Sequence, residues 1–212
     1  MSKPSLEAPS EPVRVIESIP VNVGGTGPLS PEKIAAEKIP TPAHLRVGKE
    51  LAAGGMGHVH PAVDRNLLRQ VALKRLDKDF ATNAFYRDAF IAEGQINGQL
   101  QHPNIVPVHE LAIDPSGIPY FTMKLVQGSS FETWLNQHST GSIDRIEGGI
   151  EILIKVCDAV AYAHHRGVIH RDLKPANIMV GDFGQVYLMD WGLARLLRTQ
   201  PASGDRAMMN AK

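Results

Sequence analysis

An α+β fold is what the sequence predicts, with an antiparallel sheet and one helix first and mainly helical structure after. Three observations carry this. Apolar, partly alternating runs at residues 45–51, 59–63, 70–76, 105–113 and 118–126 read as five strands. A single longer helical stretch, residues 80–100, interrupts them. After Gly128 the apolar spacing changes from the period of a strand to that of a helix.

Taken in order, residues 45–51 and 59–63 flank the cluster Gly54-Gly55-Met56-Gly57, so two strands and a glycine turn form a hairpin. Residues 70–76 supply the next strand. The predicted helix ends before the His102-Pro103-Asn104 break, and the last two strands turn at Pro115-Ser116-Gly117. Residues 131–138 read as a short helix and 146–166 as a long one. The long helix carries two apolar stripes, Ile150, Leu153, Ile154 and Cys157 on one and Ile152, Val156, Ala159 and Ala163 on the other, so it expects cover on two sides. Short strands at 177–180 and 186–189 flank a turn at 181–184. Residues 1–41, rich in Pro, Ser, Glu and Gly, read as a flexible tail, and 196–212 as polar and irregular. The expected division is therefore a Pro-rich tail at 1–43, a sheet lobe at 44–126, a helical lobe at 127–195 and a second tail at 196–212.

The chain has 212 residues, 43% of them hydrophobic, enough for one domain or two small lobes around a real core. Lys plus Arg and Asp plus Glu each total 22, so no basic field points to nucleic acid. Cys157 is the only cysteine, which excludes an internal disulfide, and its apolar helical setting reads as a buried, inert thiol. No basic leader with an apolar run follows Met1, and no run is long enough to span a bilayer, so the chain reads as cytoplasmic.

The glycine cluster can bring backbone N–H groups near phosphate oxygens, because glycine lacks a Cβ and tolerates positive φ, but a cluster of this kind also serves as a plain tight turn. A strand follows it, not a helix, which excludes both the Walker loop and the dinucleotide fingerprint. Val71-Ala72-Leu73-Lys74 then ends an apolar strand on a lysine, better read as a phosphate ligand than as a snorkelling side chain. Glu93 lies among Phe90, Ile91 and Ile96. It is either an ordinary solvated helix glutamate or a sheet-facing carboxylate that needs a cation, for which Lys74 is the candidate. The sharpest signal is His170-Arg171-Asp172-Leu173-Lys174-Pro175-Ala176-Asn177, followed by Asp190-Trp191-Gly192. Phosphoryl transfer needs a carboxylate for the attacking hydroxyl's proton, a cation at the γ-phosphate and oxygen ligands for Mg²⁺, and Asp172, Lys174, Asn177 and Asp190 supply these.

From about Leu45 to Arg195 these ordered motifs resemble the protein kinase family, in its bacterial eukaryotic-like Ser/Thr branch. The resemblance implies a kinase-like fold that binds ATP and Mg²⁺ and phosphorylates Ser or Thr of protein substrates. It implies that Ala52, Gly54, Gly55 and Gly57 form the loop over the phosphates, with Val59 and Ala72 the adenine ceiling and Met179 its floor. Lys74 would hold the α and β phosphates and pair with Glu93. Met123 would be the gatekeeper, and Lys124 to Val126 the hinge. Asp172 would be the base, Lys174 the mark of Ser/Thr specificity, Asn177 and Asp190 the metal ligands, and His170 and Trp191 supports behind the site. Arg171 resembles an arginine that docks a phosphorylated activation loop, with Thr199 and Ser203 as candidate phosphosites; autophosphorylation and dimerisation belong to the same expectation.

Two residues depart from the family's pattern, Ala52 for the first loop glycine and Trp191 for phenylalanine, and neither removes a reacting group. The larger departure comes after Arg195, where the activation segment, its Ala-Pro-Glu close and the helices of the large lobe are expected and residues 196–212 do not supply them. The helical lobe is therefore expected to be incomplete, with apolar surface left exposed on the two-striped helix. The competing reading is a truncated kinase-like protein that binds nucleotide or regulates, or a gene fragment.

Overall fold

The computed structural model describes residues 42–197. Residues 1–41 and 198–212, and with them nearly all of the tail expected at 1–43, most of that at 196–212, and Thr199 and Ser203, lie outside the described residues.

The sheet is antiparallel, in the order β1 (Leu45–Val47), β3 (Gly57–Asp64), β4 (Arg69–Leu76), β6 (Pro119–Lys124), β5 (Val108–Ile113), with β2 (Ala52–Ala53) also pairing with β3. It thus has six strands where five are expected: the first predicted strand, 45–51, is regular only over Leu45–Val47, and Ala52–Ala53 just beyond it forms another, so the edge beside β3 is divided. Pro61 explains the division. Its carbonyl accepts from Gly48 N at 2.7 Å, so its ring nitrogen faces the same neighbour and has no hydrogen to give. The Gly48 carbonyl is met instead by His60 Nδ1, which must be the donor, at 3.2 Å.

Alternation along β4 sorts its residues cleanly. Val71 and Leu73 join Leu45, Val47, Ala62 and Tyr120 in the core on one face. Ala72 and Leu76 join Val59, Phe90, Phe121 and Met123 on the other, and Lys74 projects to that second face between them.

The helix expected at 80–100 is two helices, α1 (Lys78–Ala81) and α2 (Ala84–Gln99). Asn83 sits between them in an extended conformation and caps α2 by accepting from Phe85 N at 3.0 Å, and an Asx cap outweighs continuation through Thr82. Gly94 lets α2 close on the sheet: a Cβ there would meet Leu111 Cδ1 at 3.1 Å and Phe121 Cδ1 at 3.3 Å.

The strand expected from Ile105 starts at Val108. Ile105 instead bridges Leu188 in parallel, and Leu188 N donates to the Asn104 carbonyl at 2.7 Å, which ties the sheet's last connection to the second half of the chain.

That half comprises β7 (Gly128–Ser130), α3 (Phe131–Gln137), α4 (Ile143–His165), β8 (Val168–Ile169), β9 (Ile178–Gly181), β10 (Val186–Leu188) and β11 (Arg195–Leu196). Ser130 and Ser142 cap α3 and α4, which is why α4 begins three residues before the expected 146. Of its two stripes α4 buries Ile152, Val156, Ala159 and Ala163, against Phe131, Val168, Ile178, Leu188 and Trp191. The other stripe is exposed, with Ile150 at 53%, Leu153 at 48% and Ile154 at 56%. Cys157 lies on that stripe and is exposed, which overturns its reading as a buried thiol: an apolar helical setting marks a stripe, not the side that is covered. Among the described residues no helix is long and apolar enough to cross a membrane.

One buried carboxylate holds the β5–β6 turn together. Asp114 Oδ1 accepts from Ser116 N at 2.8 Å, Ser116 Oγ at 2.7 Å and Ile118 N at 3.0 Å, and Oδ2 pairs with Arg75 at 2.6 Å. Burial alone would raise this carboxyl's pKa, but the bonds from Ser116, Ile118 and Arg75 outweigh burial and hold it below the usual carboxylate value. Its contribution is therefore complete above the unfolded value, about pH 4, and is lost as pH falls through the lower folded one. Asp114→Ala should lower stability by about 2–4 kcal/mol near neutrality. In urea melts from about pH 6 down to pH 3, the gap between wild type and variant should narrow. A constant gap would contradict this account.

Candidate active site

Lys74 and Glu93 meet at the centre of the molecule, Nζ to Oε1 at 2.5 Å, with side chains only 10% and 4% exposed. Strand alternation aims Lys74 at α2, and the Gly94 approach brings α2 near enough to answer it. Of the two readings open to Glu93, the sheet-facing one is correct. Asp190 Oδ1 lies 3.9 Å from the same ammonium, and the Phe121 ring centroid 5.7 Å from it. Burial pulls Lys74 toward its neutral form, but the charges of Glu93 and Asp190 outweigh burial and hold its pKa above the ordinary lysine value.

The glycine loop covers this pair. Gly55, Met56 and Gly57 line one small cavity with Lys74, Phe90, Glu93, Asp190 and Gly192. None of the loop glycines lies in the left-handed region, so the expected need for positive φ is not the reason for them. Close approach is the reason at Gly57, where a Cβ would stand 2.5 Å from the Arg75 carbonyl oxygen. The loop closes on itself through Gly54 N to the Gly57 carbonyl at 2.8 Å, and Asp77 N reaches the Met56 carbonyl at 3.0 Å.

The predicted ceiling and floor also come together. Ala52, Val59, Ala72, Met123, Val126 and Met179 share one buried cluster. Of the expected hinge, Lys124 N donates to the Pro107 carbonyl at 3.0 Å and its Nζ to Tyr187 Oη at 2.5 Å, so both of its donors have partners within the chain.

The second group of predicted residues lies on the segment between β8 and β9. Asp172 Oδ2 accepts from Asn177 Nδ2 at 2.9 Å and pairs with Lys174 Nζ at 2.9 Å. Asn177 Nδ2 also donates to the Asp172 carbonyl at 2.9 Å. Since both of those partners only accept, the amide's orientation is fixed, and its oxygen is left available on the other side. Asp172 Oδ1 has no partner among the described residues.

His170 holds this segment from behind. Its Nε2 donates to the Met189 carbonyl at 2.9 Å and its Nδ1 accepts from Asp172 N at 3.2 Å, which requires the neutral Nε2–H tautomer. Burial, the largest influence, lowers its pKa and keeps it neutral. Trp191 packs edge-on against the imidazole at 4.6 Å and is itself buried. Arg171 (φ 71) and Asp190 (φ 59) adopt left-handed backbone, a strain of about 1 kcal/mol or more each, and the His170 bonds help to overdetermine it.

One cavity lies between the two groups, lined by Lys74, Glu93, Val59 and Met123 on the sheet side and by Ala176, Asn177, Met189 and Asp190 on the other; Asp172 and Lys174 do not line it. Asn97, Val106 and Phe121 line it too, and the sequence reading missed them. Asn97 falls one helical turn beyond Glu93, a spacing that could have flagged it. Its Oδ1, like Trp191 Nε1, is buried without a partner among the described residues. For a divalent cation the available donors are oxygens, from Asp190 and Asn177. Among the described residues no cluster of three or more His, Cys, Asp or Glu could hold a metal unaided. Two protein oxygens completed by phosphate and water suit Mg²⁺.

A model of the protein kinase domain matches residues 45–210, more than half of the chain. The serine/threonine-protein kinase PknD of Protochlamydia amoebophila is 36% identical over 162 residues, 72% of this chain. The protein of the same name from Chlamydia trachomatis serovar D is 38% identical over 152 residues, 68% of the chain. That from Chlamydia abortus is 34% identical over 165 residues, 71% of the chain. The chain spans about 16% of the length of the first two relatives and 17% of the third.

The buried pair generates a test of its own. Glu93→Ala leaves the Lys74 ammonium buried with Asp190 at the edge of reach, and should cost about 3–5 kcal/mol. Replacing both charges, Lys74→Met with Glu93→Leu, should recover most of that loss, since a buried pair exchanged for apolar groups is often neutral. Guanidinium midpoints of the two variants decide it; a double variant no more stable than Glu93→Ala would refute the explanation.

Proposed function

The chain belongs to the protein kinase family, and on that premise we propose that it transfers the γ-phosphoryl group of ATP to serine or threonine hydroxyls of protein substrates. The observation that carries this reading is the Lys74–Glu93 pair closed at 2.5 Å with Asp190 3.9 Å away, lining one cavity with Asn177, whose amide is bonded to Asp172, itself paired with Lys174. A phosphoryl-transfer site needs cations, oxygen ligands and a proton acceptor on opposite sides of one gap.

In this reading residues 44–126 and 127–195 act as the two walls of one site. The loop from Ala52 through Gly54, Gly55 and Gly57 covers the phosphates. Val59, Ala72 and Met179 enclose the adenine, Met123 closes the rear, and the backbone of Lys124 to Val126 meets the base edge. Lys74 holds the α and β phosphates, oriented by Glu93. Asp172 accepts the hydroxyl proton: Oδ2 is tied to Asn177 and Lys174, which leaves Oδ1 to point at the nucleophile. Lys174 neutralises the transferring group and makes room for a Ser or Thr side chain. Mg²⁺, when bound, supplies charge neutralisation at the phosphates, drawing ligands from Asp190 and Asn177. ATP as co-substrate argues for work in the cytoplasm, and autophosphorylation would use the same groups on a second copy.

Transfer of labelled phosphate from Mg²⁺-ATP to a generic basic Ser-containing protein tests the reading. Asp172→Asn keeps the Asn177 contact and removes the proton acceptor, and should lower the rate about 10²- to 10⁴-fold with little change in melting temperature. Equal rates for the two proteins would reject Asp172 as the base. Absent transfer by folded wild type would reject the function.

A further inference from the structure

His58 follows Gly57 directly, and its ring lies between two carboxylates. Nδ1 is 2.7 Å from Glu50 Oε2 and Nε2 is 2.8 Å from Asp77 Oδ2. A neutral imidazole has one N–H, and a carboxylate can only accept. Two short bonds of this kind therefore require the imidazolium. The partners sit at separate places: Glu50 enters the glycine loop just before β2, and Asp77 follows β4, three residues after Lys74, where it also caps α1 by accepting from Asp79 N at 2.8 Å. Asp77 thus holds the loop twice, through His58 and through its N–H on the Met56 carbonyl.

We propose that His58 is a positioning residue for the nucleotide: as the imidazolium it straps the glycine loop to the strand that carries Lys74, and it releases the loop on losing its proton. The proposal rests on the nucleotide-binding role given to the loop above. The other charged groups around the ring do not replace either bond. Arg75, opposite His58 on β4, is engaged by Asp114 and Ser116. Lys78 follows Asp77 in the chain, and its effect on that carboxylate is the smallest of those that act on it. His60, with ring centroids 6.4 Å apart, is turned to the Gly48 carbonyl.

Burial would lower the pKa of His58, but the Asp77 hydrogen bond and the charge of Glu50 outweigh it and raise the value above 6.5. Asp77 is lowered in turn, by the Asp79 N–H and by His58. A raised folded value means that the strap is complete below about pH 6.5 and is lost as pH rises through the folded value. Nucleotide affinity should therefore fall as pH rises.

The test is calorimetric binding of a non-hydrolysable Mg²⁺-ATP analogue from about pH 6 to pH 8.5. Wild-type affinity should fall about three- to five-fold, the range expected for ion pairs whose side chains are about a third exposed, here 35%, 37% and 28%. His58→Gln should sit at the weak, high-pH level throughout. His58→Arg, whose fork stays charged, should keep the tight level throughout. Ionisation of the phosphates is common to all three proteins and divides out. A His58→Gln variant with the wild-type pH slope overturns the strap. If the analogue fails to bind wild type at every pH, the nucleotide reading falls, and amide exchange at Gly54–Gly57 then judges the strap alone. Protection factors, corrected for the intrinsic pH dependence of exchange, that fall at high pH in wild type but not in His58→Arg support it, and identical profiles overturn it.

Discussion

The ion pair between Lys74 and Glu93 is the constraint on which the other placements depend. Neither charge could stay buried alone, since an unpaired ammonium or carboxylate in that setting would neutralise or draw in water. Together they fix the rotation of α2, because only one face of the helix can present a carboxylate to β4 while Phe90 and Gly94 remain against the sheet. The helix in turn shapes the segment after Asp190. A Cβ at Gly192 would come within 3.2 Å of both Glu93 Oε2 and Asp190 Oδ1, so glycine lets that segment pass beside the pair without displacing either carboxylate. The ammonium, the helix and the segment from Asp190 to Gly192 are thus set by one geometric requirement.

On the other wall a different device does the same work. The segment 170–177 has little regular structure, and its order comes from side chains bonded to backbone. His170 joins the Asp172 amide to the Met189 carbonyl, and Asn177 closes back on Asp172. These bonds link Asp172 to the strand end that leads into Asp190. Holding Arg171 and Asp190 in left-handed backbone opposes folding locally, and the buried His170–Trp191 contact supplies the packing that sustains it.

Much of this was legible in the sequence, for identifiable reasons. Apolar, partly alternating spacing predicted the strand that carries Lys74, and the octet from His170 to Asn177 signalled its chemistry because few other uses require those types in that order. What escaped depends on partners distant in the chain. The division of the first strand follows from Pro61, whose missing hydrogen matters only once β1 is laid beside it. Glu93 could not be assigned a direction, because helical spacing places a residue on a face without saying what that face meets. The Asn83 cap and the Glu50–His58–Asp77 bridge were readable in principle as residue types, but the bridge joins residues 8 and 19 positions apart through side chains alone.

Cys157 shows the same limit from the other side and leads to the remaining tension in the molecule. Both stripes of α4 are apolar enough to be core, and sequence alone ranks them nearly equally. The stripe of smaller residues, Ala159 and Ala163 with Ile152 and Val156, is the buried one, which lets α4 lie close to β8 and β10. The bulkier stripe lines a groove of about 460 Å³ with Leu153, Cys157 and Val160 on one side and Leu173, Lys174 and Pro175 on the other. The back of the segment that carries Asp172 and Lys174 is therefore itself a wall of that groove. Apolar surface in water opposes the arrangement that exposes it, and Leu173, half exposed in that groove, lies between Asp172 and Lys174 in the chain. The position of Asp172 is thus tied on one side to the polar contacts of His170, Asn177 and Lys174 and on the other to an apolar surface, so packing and hydrogen bonding act on the same short segment.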